Sequence, residues 1–197
     1  MVFVPIEQVG SNEAARRPLR AEECALAVID IQEKLLPSIW EKERVVRNSQ
    51  VLVRMAAAMD IPVVVTAQYT KGLGPIVPEI AFLLPETTPI EKLEFGCFGS
   101  DAFCSTIGKL AGRNTLLVCG IEAHICVMQT ALGALNQSMN VHVATDAVSS
   151  RTELNWQLGL GRMRDAGAVI SSTEMMLYEL MRKSGTPVFK EMLRWVK

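Results

Sequence analysis

Short, unbroken apolar runs alternate with amphipathic stretches along most of this chain. Cys24 to Ile29 is apolar throughout and stops at Asp30, and Ile61 to Thr66 is rich in β-branched residues. Thr115 to Cys119 and Val141 to Thr145 repeat the type. Runs without polar alternation suit strands covered on both faces. Between them, Glu43 to Met59 carries Val45, Leu52 and Met59 a heptad apart, with Pro62 close behind, and reads as a helix. Ser100 to Ala111, Thr152 to Ala166 and Thr173 to Arg182 read as further helices. Thr88 to Glu91 is a short third strand and Gly167 to Ser171 a sixth. Thr70 to Pro89, broken by prolines and glycines, is expected to be an irregular excursion with one helical turn at Val77 to Leu84. Strand–helix alternation of this kind predicts a parallel α/β sheet with right-handed crossovers and helices on both faces. With no repeat and no linker, residues 21–197 are expected to form a single domain. The first twenty residues, polar and poorly patterned, are expected to be an N-terminal arm packed on the surface or on a neighbouring subunit.

Composition narrows the class. A chain of 197 residues, 49% hydrophobic, closes a full core in one domain. A net charge of −1 gives nucleic acid or an anionic membrane no purchase. The longest apolar stretches, such as Ile61 to Ala67, are too short to span a bilayer, and the N-terminus lacks the pattern of a signal peptide. Five cysteines, with no Cys-x-x-Cys spacing, fit reduced thiols in the cytoplasm.

The candidate chemistry lies at strand ends. Gly120 is expected to break the strand from Thr115, and from Glu122 onward Ile125, Met128, Leu132 and Leu135 fall at helical spacing. Cys126 therefore belongs to the first turn of a helix, where free N–H groups and the helix dipole favour a thiolate. The carboxyl ends of parallel strands are also where ligands bind. Asp30 and Lys92 stand at two further strand ends, so three side chains can meet over one crevice. Each has a plainer alternative. Asp30 serves equally as a helix cap or ion-pair member, Lys92 as a solvated surface cation, and Cys126 as an inert core filler.

In their order and spacing, five segments resemble the isochorismatase-like cysteine hydrolases from about Ala21 to Lys190. They are Val28-Ile29-Asp30-Ile31-Gln32 with Glu33, Thr66-Ala67-Gln68-Tyr69, Glu91-Lys92 with Phe95, Cys119-Gly120-Ile121-Glu122-Ala123 through Cys126, and Asp146-Ala147-Val148-Ser149-Ser150-Arg151. Gln68-Tyr69, Gly72-Leu73-Gly74 with Pro78-Glu79, and Gly120-Ile121-Glu122-Ala123 make the chain most similar to the isochorismatase-domain-containing proteins of uncertain substrate. The resemblance implies a three-layer α/β/α, Rossmann-like fold with six parallel strands in the order 3-2-1-4-5-6. It implies Asp30, Lys92 and Cys126 as catalytic residues and a cis peptide at Ile121–Glu122. It further implies an oxyanion hole from backbone N–H groups at Cys126 and near Ile121 and Glu122. Gln32, Gln68, Tyr69 and Phe95 are candidates to line the substrate pocket.

Departures from the family matter too. Members that hydrolyse nicotinamide carry a histidine-containing metal cluster after the second strand, where this chain has Gln68, Tyr69, Thr70 and Lys71. Its two histidines, His124 and His142, are far apart, so no metal and no cofactor are expected. His124 is read as a histidine at the pocket rim, and Glu122 as a contributor of backbone rather than carboxylate chemistry. The expected activity is hydrolysis of a small amide or related carbonyl compound through a Cys126 thioester, with Asp30 as base and Lys92 holding the set by charge. Two other classes stay open. One is a thiol redox protein in which Cys119 or Cys97 resolves an oxidised Cys126, and the other is a non-catalytic scaffold with a vestigial pocket. The apolar residues of Lys71 to Pro85 and of Val188 to Val196 predict a homo-oligomer, a dimer or a dimer-built assembly.

Overall fold

A computed structural model describes residues 16–196. Six parallel strands form one sheet: β1 Cys24–Ile29, β2 Val63–Gln68, β3 Ile90–Lys92, β4 Thr115–Ile121, β5 Asn140–Ser149 and β6 Val169–Ser171. Their order is 3-2-1-4-5-6, as the family resemblance implies. The helices are α1 Lys42–Ala58, α2 Asp101–Gly108, α3 Met128–Asn136, α4 Glu153–Asp165, α5 Thr173–Met181 and α6 Pro187–Met192.

The layers follow from the pleat. On β1, Leu26 and Val28 join one apolar cluster with α1, α5 and α6, while Ala25, Ala27 and Ile29 join a second with α2, α3 and α4. Cys119 and Leu117 on β4 face the first cluster, and Leu116 and Val118 the second. Every residue of β1 and β4 is buried, which explains their unbroken apolar composition. The helices start where polar caps allow: the hydroxyls of Ser100, Thr152 and Ser172 accept from Phe103 N, Asn155 N and Met175 N. Among the described residues, no helix is long and apolar enough to cross a membrane.

Several sequence-based boundaries shift, each toward the site. Gly120 does not break β4. The strand runs through it to Ile121, because Gly120 at φ 118° lies so close to β1 that a Cβ would sit 2.1 Å from the Ile29 carbonyl oxygen. β2 starts after Pro62 and continues past Thr66 to Gln68, paired with β3, whose last residue is Lys92. β5 continues beyond Thr145 to Ser149, with its register against β4 shifted between Val118 and Gly120 as a bulge does. The excursion after Tyr69 holds two one-turn helices, Thr70–Leu73 and Pro78–Ala81.

Three of the excursion's apolar residues fold fully inward, while Phe82 stays 82% exposed. Ile76, Val77 and Ile80 are buried in the first cluster, tied down by the Val77 N–H donating to the Ile31 carbonyl at 3.0 Å. Met192 is fully buried and Phe189 packs edge-on to Tyr178. These segments therefore supply less free apolar surface than the sequence suggests. The proposed N-terminal arm lies largely outside the described residues. Within 16–20, Leu19 is buried, its N–H donating to Glu179 and its carbonyl accepting from Arg182.

Candidate active site

Three strand ends converge on one buried ion pair. Asp30 follows β1 in left-handed backbone geometry, φ 53°. Lys92 ends the edge strand β3, yet its side chain is fully buried. Its Nζ donates to Asp30 Oδ2 at 2.7 Å and to Gln68 Oε1 at 2.7 Å, with the carbonyls of Glu94 and Phe95 at 3.3 Å. An ammonium carries three protons, so four acceptors satisfy it completely. Lys92 is thus held as a fixed positive charge. The other carboxylate oxygen, Asp30 Oδ1, accepts from the Thr66 hydroxyl at 2.7 Å.

Cys126 reaches this pair from a π-helical turn, Ala123–Val127, that precedes α3. The sequence predicts an ordinary helix from Glu122. Here instead the Glu122 carbonyl accepts from both Ile125 N at 3.0 Å and Val127 N at 3.2 Å. The peptide Ile121–Glu122 is cis. Thr130 closes the turn from behind: its hydroxyl donates to the Cys126 carbonyl at 2.7 Å and accepts from Cys97 N at 3.0 Å.

Burial opposes the pull toward thiolate that the helix position exerts on Cys126. Burial pushes the Cys126 thiol up to about 12, the Asp30 carboxylate adds to the rise by charge and as hydrogen-bond acceptor, and Lys92 only partly opposes them. Burial likewise pushes Cys97 to about 11 and Cys119 to about 12. Cys119 lies in the opposite apolar cluster from Cys126.

The four pocket candidates divide. Gln32 is fully buried; its amide donates to the Gln68 and Gly74 carbonyls at 2.9 and 2.7 Å and accepts from Gln68 N at 2.8 Å. It braces the loop behind the site through these backbone contacts. Gln68 is engaged at both ends, by Lys92 and by donation to the Leu93 carbonyl at 2.8 Å. Tyr69 and Phe95 are exposed. Tyr69 borders an open cleft of about 530 Å³ that reaches Lys92 and is walled by Lys71, Glu91, Glu94 and Asp101. Asp30 and Cys126 do not line that cleft. A second groove of about 360 Å³, between Glu33–Pro37 and α1, contains none of the three central residues.

Two rim residues have partners of their own. Glu122 pairs through Oε2 with Arg151 Nε at 3.0 Å and accepts from Arg151 N. His124 Nδ1 lies 2.9 Å from the Ser150 hydroxyl. Sequence reasoning missed Thr66, Thr130 and Gly159. The first two are ordinary strand and helix threonines by pattern. Gly159 lets α4 press on the turn that carries Cys126, for a Cβ there would meet the Ala123 carbonyl oxygen at 2.8 Å and His124 Cα at 2.9 Å. Among the described residues no group of three histidine, cysteine or acidic side chains is placed to hold a metal ion.

The isochorismatase domain matches residues 24–175. The chain is similar to a secreted isochorismatase effector of Phytophthora sojae, 35% identical over 175 residues, covering 87% of this chain and 83% of that protein. It is equally similar to isochorismatase domain-containing protein 2A of Mus musculus, 35% identical over 179 residues, with 89% and 84% covered. A solved structure named as the MAR1 ribonuclease of Caenorhabditis elegans superposes with a TM-score of 0.85 at 33% identity, covering 91% of this chain and 92% of that one.

Gly159 and Gly161 give a test of the turn. Both sit in α4, so alanine brings either the same gain in helix propensity, about 1 kcal/mol. Gly161 has open space where a Cβ would go, whereas Gly159 has backbone. Gly161→Ala is expected to raise the melting temperature and leave Cys126 alkylation unchanged. Gly159→Ala is expected to lose that gain and to alter the alkylation rate. Indistinguishable behaviour of the two variants in melting and alkylation would show that the close approach does not shape the site.

Proposed function

The chain belongs to the isochorismatase family, and from that premise we propose that it hydrolyses a small amide or related carbonyl compound through Cys126. The observation that carries this reading is the buried Lys92–Asp30 pair set against a neutral thiol at the head of a helix. A neutral thiol is a weak nucleophile until a base takes its proton. Asp30 accepts that proton as Sγ bonds to the substrate carbonyl carbon. The carbonyl π electrons move to oxygen, and backbone N–H groups at Cys126 and beside the Ile121–Glu122 peptide receive the oxyanion. Collapse expels the amine, which leaves with the proton from Asp30 and gives a thioester on Cys126. Water then attacks the thioester carbonyl while Asp30 takes its proton. The acid departs, and Sγ recovers the proton.

Lys92 has no free proton to offer a substrate, so its role is charge alone. Its contact with Oδ2 holds the Asp30 carboxylate in register with the thiol. The ribonuclease name belongs to the nematode structure, and this chain's net charge of −1 gives no reason to expect a nucleic-acid substrate. A peroxide-sensing thiol is disfavoured as well, because thiols pushed up to about 12 and about 11 hold little thiolate. The mouth carries exposed Tyr69, Leu93 and Phe95, and a second copy of the chain is the cover we propose for them.

Screening a panel of small amides against the wild type identifies the substrate, and two variants test the roles. Cys126→Ala is expected to reduce turnover to background, and Asp30→Asn to lower kcat by about 10²–10⁴-fold. A mass increase equal to the acyl group, mapped to Cys126 in a rapid quench, would mark the thioester. Full turnover by pure Cys126→Ala overturns the nucleophile. Assembly is read by light scattering on the same preparations, with a mass of at least two 21.7 kDa chains expected. A fully active 21.7 kDa species would show that one chain completes the site.

A further inference from the structure

Thr66 grips Asp30 at two points. The Asp30 N–H donates to the Thr66 carbonyl at 3.2 Å, and the Thr66 hydroxyl donates to Asp30 Oδ1 at 2.7 Å. The grip is possible because β2 pairs with β1 so that Thr66 stands opposite Ile29, one residue before Asp30. Thr66 is fully buried, so solvent does not compete for its hydroxyl. Lys92 holds the other oxygen, Oδ2. A carboxylate accepts hydrogen bonds and does not donate them, so the single hydroxyl proton of Thr66 points at Asp30. The Cys97 thiol lies 3.9 Å from the same hydroxyl oxygen, on its acceptor side. Cys97 continues the connection through its N–H to Thr130 Oγ1 at 3.0 Å, and Thr130 donates to the Cys126 carbonyl at 2.7 Å. One hydrogen-bonded path thus runs behind the site from Asp30 to the turn that carries Cys126.

We propose that Thr66 is a positioning residue for the hydrolysis, fixing the rotation of the Asp30 carboxylate so that it faces the Cys126 thiol. The inference rests on the reading of Asp30 as the base. A carboxylate held only by Lys92 has one anchored oxygen and swings about it. With Thr66 on the second oxygen the plane of the group is set. Loss of the hydroxyl slows proton transfer from Sγ and leaves the substrate-facing groups untouched. The consequence falls on kcat and on thiol reactivity, and KM stays near its wild-type value.

Iodoacetamide, itself a small amide, tests this without knowledge of the substrate. Its reaction forms an Sγ–C bond, breaks C–I, releases iodide and passes the thiol proton to Asp30. Carbamidomethylation of Cys126 is followed by peptide mass mapping, with the exposed Cys104 as an internal reference. Wild type, Thr66→Val, Thr66→Ser and Asp30→Asn are compared at one pH, each checked for folding by circular dichroism. Thr66→Val, nearly isosteric, is expected to slow Cys126 roughly tenfold relative to Cys104, as loss of a hydrogen bond to a charged group does. Thr66→Ser keeps the hydroxyl and is expected to restore the rate, and Asp30→Asn to slow it at least as much as Val. Slow Asp30→Asn with a wild-type rate in Thr66→Val overturns the role of Thr66 alone. Equal slowing in Ser and Val overturns it too, since bulk and not the hydroxyl would then matter. A wild-type or faster rate in Asp30→Asn overturns the base reading beneath it, since it would show that the carboxylate acts on the thiol only as a charge that opposes ionisation. If the Val variant does not fold, Thr66→Ala against Thr66→Ser carries the same contrast of hydroxyl absent and present.

Discussion

Burying a lysine and an aspartate together, with neither side chain exposed, is the constraint around which this molecule is arranged. Two desolvated charges lose hydration worth several kcal/mol each, and their attraction offsets that loss only if the remaining donors and acceptors are satisfied. Here they are. Thr66 comes from the strand beside β1, Gln68 from the end of that strand, and two carbonyls from the chain after β3. Gln32 in turn braces Gln68 and the Gly74 carbonyl. Removing either ion would leave the other buried and unpaired, at a cost of about 3–5 kcal/mol. The site and the stability of the β1–β2–β3 side of the sheet are therefore coupled through the same atoms.

The pair also decides the state of the nucleophile. A lysine close to a cysteine ordinarily favours its ionisation, but Lys92 has a carboxylate in direct contact, and the charge of that carboxylate opposes ionisation of the thiol. Burial and Asp30 outweigh the lysine, and the thiol stays protonated at rest. This division of labour suits a hydrolase. Proton and nucleophile separate only when a carbonyl carbon is there to receive the sulfur, and a scarce thiolate limits oxidation between turnovers.

The sheet was legible in the chain because strands covered on both faces are apolar without alternation, as Cys24–Ile29 and Thr115–Ile121 are. Asp30, Lys92 and Cys126 stood out because polar or reactive residues at the ends of such runs need a reason to be there. The remainder depends on proximity that spacing does not encode. Gln32 and Gln68 look like pocket amides, yet β2 continues two residues past Thr66 and draws both amides into backbone and lysine contacts. Gly120 reads as a strand breaker until the Ile29 carbonyl is placed against it. Ile76, Val77 and Ile80 read as exposed apolar surface until the Gln32–Ile76 bridge folds their loop onto the core. Thr66 belongs to a segment that carries the family resemblance, but nothing in the pattern gives its hydroxyl a role, since a threonine in a β-branched run is what a strand prefers. The helix position that favours a thiolate is visible in sequence, whereas the burial and the carboxylate charge that oppose it are not.

The most direct measurement is the ultraviolet absorbance of the thiolate, taken as the difference between wild type and Cys126→Ala across a pH titration. A neutral resting thiol requires no Cys126-dependent thiolate signal at neutral pH, with the signal emerging only in strongly alkaline solution. A thiolate band at neutral pH that vanishes in Cys126→Ala would contradict it, and would mean that Lys92 and the helix outweigh burial and Asp30.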